Sequence, residues 1–166
     1  MRNNTRTNGH ANETTRQKAG IDELTGVWNR AGFVTAATPM FVSCQRREAP
    51  LALAYFDFHT TDETQTAPED TTVDRVLMAM ADLMRKAFRA SDIIGRVDKL
   101  RFAVLLADCT DEALAAIDGV RALTDDPSSP QELTLTAGMV RSAPGGTLED
   151  LMRDADVRTR EIKREG

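Results

Sequence analysis

The 166-residue chain is poor in aromatics, at 5%, and contains two cysteines and two histidines. Cys44 and Cys109 lie far apart in sequence, which excludes a disulfide-built scaffold and reads as two free thiols in a reducing cytoplasm. His10 and His59 do not complete a zinc-type ligand set with them. No apolar run approaches the roughly 20 residues of a membrane span. The first 20 residues, MRNNTRTNGHANETTRQKAG, lack the apolar stretch of a secretory signal, so none is expected. Positive charge is not in excess: 26 acids oppose 21 lysines and arginines, for a net charge of −5. That balance argues against sequence-independent binding to duplex nucleic acid. The 41% apolar and 28% charged content is that of one soluble globular domain.

Residues 1–19 hold Asn, Thr, Arg and Gly but no large apolar residue after Met1. Such a stretch cannot bury enough surface to offset its ordering entropy, and it reads as a disordered polar tail. The folded part is expected over 20–166. Residues 51–58, LALAYFDF, form a short apolar run behind Pro50 and predict a largely buried strand. Val73, Val76, Leu77, Met80, Leu83, Met84 and Ala87 recur at helical spacing, with the methionines as core packing. Two short strands follow, about Ile93–Val97 and Arg101–Ala107, separated by Asp98, Lys99 and Leu100 in the manner of a β-hairpin. A helix is expected from Asp111 to about Leu123, with Thr110 as its N-cap. The stretch 125–130 reads as a loop, and Leu133–Val140 as another strand. Thr147 opens a last helix with Asp150 three residues on, a weak capping box. Pro39 falls within the first helical stretch and predicts a kink or restart there. The order helix, strand, helix, hairpin, helix, strand, helix implies α/β (α+β) architecture, with helices on a mainly antiparallel sheet of about five strands.

Asp22-Glu23-Leu24-Thr25-Gly26-Val27-Trp28-Asn29-Arg30, followed by Phe33, resembles the D-x-L-T-G-L-x-N-R-x-x-F opening of GGDEF domains, the diguanylate cyclases. Further matches follow in register. The strand LALAYFDF resembles the family strand ending in the first metal-binding aspartate, here Asp57. Asp74 and Leu77 match its later G-D-x-x-L, with Val73 in place of the glycine. Arg96 stands before the signature loop and Phe102 closes it. Thr136 and Gly138 resemble the family S-x-G, and Ala155-Asp156, Lys163 and Gly166 resemble its closing motif. The resemblance covers residues 20–166 and implies the nucleotidyl-cyclase-like fold of that family.

Where the resemblance puts G-G-D/E-E-F, this chain reads Asp98-Lys99-Leu100-Arg101-Phe102. The family glycines let the hairpin backbone approach GTP phosphates, a role that needs no Cβ. The family's third position is a magnesium-binding acid; Leu100 has no oxygen to offer a hard cation. Arg101 reverses the charge of the fourth position. Asp57 remains, but the acid two residues on is replaced by His59. Phosphoryl transfer depends on metal-bridged charge neutralisation, so the resemblance implies a degenerate domain that is no enzyme, with magnesium not expected. Lys99 and Arg101 read as exposed hairpin charges, with an electrostatic hold on a phosphate as the alternative. The family's guanine contacts fall at Gln65 and Asp74; Asp74 reads equally as a carboxylate in a helix's first turn. The family's phosphate-binding lysine falls at Asp62. Lys163 keeps its family place, where a solvated side chain is the plain reading.

Arg89-Ala90-Ser91-Asp92 matches the family's R-x-x-D inhibitory motif at the family's spacing before the signature loop. In family members that carry it, Arg and Asp bind cyclic di-GMP away from the catalytic pocket. An arginine fork suits a phosphate or a guanine Hoogsteen edge, and a carboxylate accepts from guanine N–H groups. Arg85, Lys86 and Arg121 are candidates to add positive charge. The structural alternative makes Asp92 a cap before a strand and Arg89 a helix-end cation. The expected function is therefore a catalytically inactive cyclic di-GMP receptor in bacterial cytoplasmic signalling, working by ligand-dependent association or through a protein partner in trans. The competing expectations are a nucleotide-independent interaction module, and residual GTP binding without turnover at Asp57, Asp74 and Lys163.

Overall fold

The computed structural model describes residues 19–60, 70–108, 111–124 and 133–166. The expectations for the tail, for Asp62, Gln65, Cys109 and Thr110, and for the loop at 125–130 lie outside those residues. The elements are β1 (Trp28–Asn29), α1 (Arg30–Arg47), β2 (Leu51–Thr60), α2 (Asp70–Ala87), β3 (Ile93–Asp98), β4 (Arg101–Ala107), α3 (Asp111–Thr124), β5 (Leu133–Arg141) and α4 (Leu148–Glu165). The five strands form one sheet in the order β1-β3-β4-β2-β5. Among the described residues only the two-residue β1 runs parallel to its neighbour, and the other strand pairs are antiparallel. So short a strand carries no alternation, which is why sequence periodicity does not reveal β1.

Both faces of the sheet are covered. Ala52, Ala54, Phe56 and Phe58 of β2 face one core with Leu77, Met80, Met84, Ile117 and Val120 from α2 and α3. Leu51, Leu53 and Tyr55 face the other, with Phe33, Phe41, Leu151 and Ala155 from α1 and α4. A strand buried on both faces needs a continuous apolar run, as LALAYFDF has. Phe33, Phe56 and Phe102 are fully buried.

Helix α1 runs unbroken through Pro39. The helix does not restart there. Pro39 lies on the exposed side, so the carbonyl left without its N–H partner faces water, while Phe33, Ala37, Phe41 and Cys44 hold the opposite stripe in the core. The hairpin is tighter than the sequence suggests, since Asp98 pairs with Arg101 and leaves a two-residue turn. The capping box of α4 is complete: Thr147 accepts from the Asp150 N–H, and Asp150 accepts in return from the Thr147 N–H. Gly138 sets how closely α4 approaches β5. A Cβ there would lie 2.5 Å from Thr159 Oγ1 and 2.8 Å from its Cα.

Candidate functional site

The opening motif at 22–30 forms a turn that holds the hairpin. Asp22 accepts from the Thr25 N–H at 3.1 Å and from the Thr25 hydroxyl at 2.6 Å. Gly26 follows at φ +75°, a left-handed conformation that glycine adopts without a Cβ penalty. Asn29 caps α1 by accepting from the Gly32 N–H at 2.9 Å. Arg96 donates to Asp22 at 3.2 Å and to the Lys99 carbonyl at 2.9 Å. The loop, β3 and the hairpin tip are thereby tied through one guanidinium.

At the hairpin, the side chain of Asp98 accepts from the Lys99 N–H at 2.8 Å. Lys99 is exposed, whereas Leu100 is half-buried against the α2/α3 core. The Leu100 carbonyl accepts from the Phe58 N–H at 2.9 Å, docking the tip onto β2. Among the described residues the only non-glycine positive φ angles are at Glu48 and Asp108. The turn at 99–100 therefore accommodates side chains without left-handed backbone, and loss of the glycines costs the hairpin no strain there.

Arg101 is not an exposed hairpin charge. Its register opposite Asp57 on β2 turns it toward α4. There it donates to Asp57 at 3.0 Å and to Asp156 at 2.6 Å, and only 18% of its side chain is exposed. Its guanidinium also sits 5.0 Å from the centre of the Tyr55 ring. Arg160 takes the other oxygen of Asp156 at 2.8 Å. Burial pulls the Arg101 pKa down, but the hydrogen bonds to the two carboxylates outweigh it and hold it above the usual arginine value. Burial raises the pKa of Tyr55, with Arg30 and Arg101 opposing. His59 lies two residues beyond Asp57. Its Nδ1 is buried without a partner, and its pKa is lowered first by burial and then by Lys163, with Asp57 opposing. Asp74 lies in the second turn of α2, not the first, because the helix begins at Asp70. At that depth the helix N-terminus acts on it less than the sequence suggests.

The residues do not fit a divalent ion at this hairpin. Asp57 is bonded to a guanidinium, Leu100 is apolar, and among the described residues no three His, Cys, Asp or Glu side chains cluster as metal ligands do. Asp156 is the member that sequence reasoning missed. Its only signal was the Ala-Asp pair in the closing helix.

Arg89 and Asp92 stand at the opposite end of β3. Asp92 Oδ2 accepts from the Arg89 N–H at 2.9 Å, and the Asp92 N–H donates to the Arg89 carbonyl at 3.0 Å. The Asp92 side chain is 2% exposed, and its Oδ1 is buried without a partner. The half-exposed Arg89 guanidinium donates to the Ala107 carbonyl at 2.8 Å and lies 3.8 Å from Asp92. Arg85 donates to the Thr25 carbonyl and pairs with Asp82. Arg85, Arg89 and Asp92, with Ile21, Trp28 and Phe88, line a shallow groove of about 410 Å³. Arg121 lies on the exposed side of α3 and is not among the residues lining it.

The sequence family described as diguanylate cyclase, GGDEF domain, matches residues 19–166. The chain belongs to the GGDEF domain family. Among curated relatives of this GGDEF domain, the cyclic di-GMP phosphodiesterase NbdA of Pseudomonas aeruginosa is 30% identical over 65% of the chain and 14% of its own length. The probable diguanylate cyclase DgcT of Escherichia coli is 28% identical over 76% of the chain and 29% of its own length. The chain thus spans less than a third of either relative. The solved coiled coil and GGDEF domain of DgcB from Caulobacter crescentus, in complex with c-di-GMP, has a TM-score of 0.79. It is 19% identical, over 95% of this chain and 87% of that one. In this GGDEF domain the motif residues Asp22, Thr25, Gly26 and Asn29 hold turns and a helix cap, while Arg101 at the hairpin is ion-paired to Asp57 and Asp156. Among the described residues no helix is long and apolar enough to cross a membrane.

Proposed function

We propose that this is a GGDEF domain without cyclase turnover that serves as a cyclic di-GMP receptor in the bacterial cytoplasm, through Arg89 and Asp92. One observation carries the reading: Asp92 keeps a buried carboxylate oxygen without a partner beneath a groove edged by Arg85 and Arg89. A buried acceptor left unpaired costs free energy, so a ligand N–H that reaches it gains more than a solvent-facing bond gives. Guanine offers N1–H and N2–H donors of that kind, and the phosphodiester suits the guanidinium forks. Arg89 is half exposed and swings toward a ligand at the loss of one bond to the Ala107 carbonyl. The apolar wall of Trp28, Ile21 and Phe88 suits a purine face. A two-fold symmetric dinucleotide that occupies two such grooves joins two protein surfaces, which supplies an output without catalysis. The absence of turnover is supported by the hairpin, where Arg101 and Leu100 occupy the positions of the acids.

Isothermal titration of cyclic di-GMP into the parent and the Arg89→Ala variant tests the reading. Heat of binding in the parent that Arg89→Ala removes supports it. A flat parent titration overturns it in favour of an interaction module. Product formed from GTP overturns the claim of no turnover.

A further inference from the structure

We propose that Arg101 is a resident cation: its guanidinium takes the place between Asp57 and Asp156 that a divalent ion would need, and makes the domain independent of divalent metal. This deepens the reading of the hairpin above as closed to metal-dependent chemistry, and it concerns a different end of the molecule from Arg89.

The argument rests on geometry and charge balance. Asp57 on β2 and Asp156 on α4 both accept from one guanidinium, at 3.0 and 2.6 Å, so the two carboxylates converge on a single point. Arg160 closes the remaining oxygen of Asp156. Two anions therefore face two cations, and the cluster is neutral without any ion from solution. The site is also sheltered: the side chains of Arg101, Asp57 and Asp156 are 18%, 20% and 24% exposed. Two half-buried carboxylates that converge without a counter-charge repel each other and lose solvation, a strong drive to recruit a cation. A guanidinium meets that demand covalently tethered, with a planar fork that matches two acceptors and only weak hydration to lose. The Tyr55 ring beneath it adds a face that favours a delocalised cation over a hydrated one. Leu100 completes the substitution, since an apolar side chain half-buried in the core leaves no oxygen to finish a metal's shell. The tether also joins β2, β4 and α4, a fastening that a dissociable metal provides only when bound.

The test is thermal unfolding of the parent, Arg101→Ala and Arg101→Ala/Asp57→Asn, first in chelator and then in magnesium or manganese chloride. The parent is expected to melt at the same temperature in both. Arg101→Ala is expected to melt about 5 °C or more lower in chelator. It should then recover part of that loss in manganese, and the recovery should vanish when Asp57→Asn is added. A parent stabilised by either metal overturns the proposal, as does an Arg101→Ala variant that gains nothing from them. If Arg101→Ala does not fold, Arg101→Lys decides. It keeps a charge but loses the fork, so it should melt below the parent and ignore both metals; equal melting or a metal response overturns the proposal. Neither result bears on cyclic di-GMP titration at Arg89, so failure of the receptor reading is read separately.

Discussion

Strand β3 has an arginine–aspartate pairing near each end, and the two are satisfied in opposite ways. At the hairpin end, Arg101 bonds Asp57 and Asp156, Arg160 takes the other oxygen of Asp156, and the group left buried without a partner is a donor, Arg101 Nε. At the other end, Asp92 spends one oxygen on the Arg89 backbone and keeps the second buried without a partner, while the Arg89 side chain stays half exposed. Burial alone does not separate the two, because the more buried carboxylate is the unsaturated one. The difference lies in polar accounting. Where the carboxylates already accept from internal guanidinium donors, as Asp57 and Asp156 do, a ligand donor competes with a bond in place. Where an acceptor is idle, a ligand bond is nearly pure gain. On that ground the proposed receptor role falls to the Asp92 end, where the buried unpartnered group is an acceptor, and not to the hairpin end.

The largest effect that would break the contrast is on stability at Arg101. Arg101→Ala strands the largely buried Asp57 and leaves Asp156 to Arg160 alone, and should cost about 3 kcal/mol, read by urea unfolding. A loss no greater than that of an ordinary surface substitution would mean the hairpin cluster is not what fastens α4. Next is Arg89→Ala, expected to weaken cyclic di-GMP by at least about 30-fold while shifting stability by less than about 0.5 kcal/mol. A variant that lost stability instead would make Arg89 a structural residue like Arg101. Asp92→Asn sharpens the comparison further. It retains an oxygen for the Arg89 N–H but removes the idle anionic acceptor, so stability should change by less than about 1 kcal/mol and affinity should fall about 10-fold.

The smallest effect is in pH. Burial, with Lys163 beside it, lowers the His59 pKa in the folded domain, while Asp57 opposes. Above the ordinary value of 6.5 both states hold His59 neutral and it contributes no slope. Below it, the unfolded chain takes up a proton that the folded domain resists, so stability falls as pH drops toward the lowered folded value. His59→Gln should flatten that part of the curve, measured as Tm between pH 7 and 5. Equal slopes for parent and variant would show that the ring titrates normally.

Much of this architecture is written in local patterns. The apolar run of β2 declared a strand covered on both faces, because a strand with one wet face would alternate. The helical stripe from Val73 to Ala87 and the Thr147–Asp150 box marked α2 and the start of α4 from spacing alone. Departures came where distant partners decide. Pro39 signals a break in isolation, but four buried side chains on the opposite stripe hold α1 together. Two-residue β1 has too few side chains to show a period and exists because β3 pairs with it.

The candidate sites divide along the same line. Residue identity alone established that positions 98 and 99 are not glycine and that positions 100 and 101 are not acidic, and that Arg89 and Asp92 keep a recognisable spacing, since both are local strings. It did not reveal that Arg101 turns inward, because its charge reads as solvent-seeking until Asp57 is placed across the strand pair and Asp156 is brought down by α4. Those carboxylates are 44 and 55 positions away in the chain. The β2–β4 register sets Asp57 beside the guanidinium, and close packing of α4 on the sheet, as at the Gly138–Thr159 contact, brings Asp156 to it.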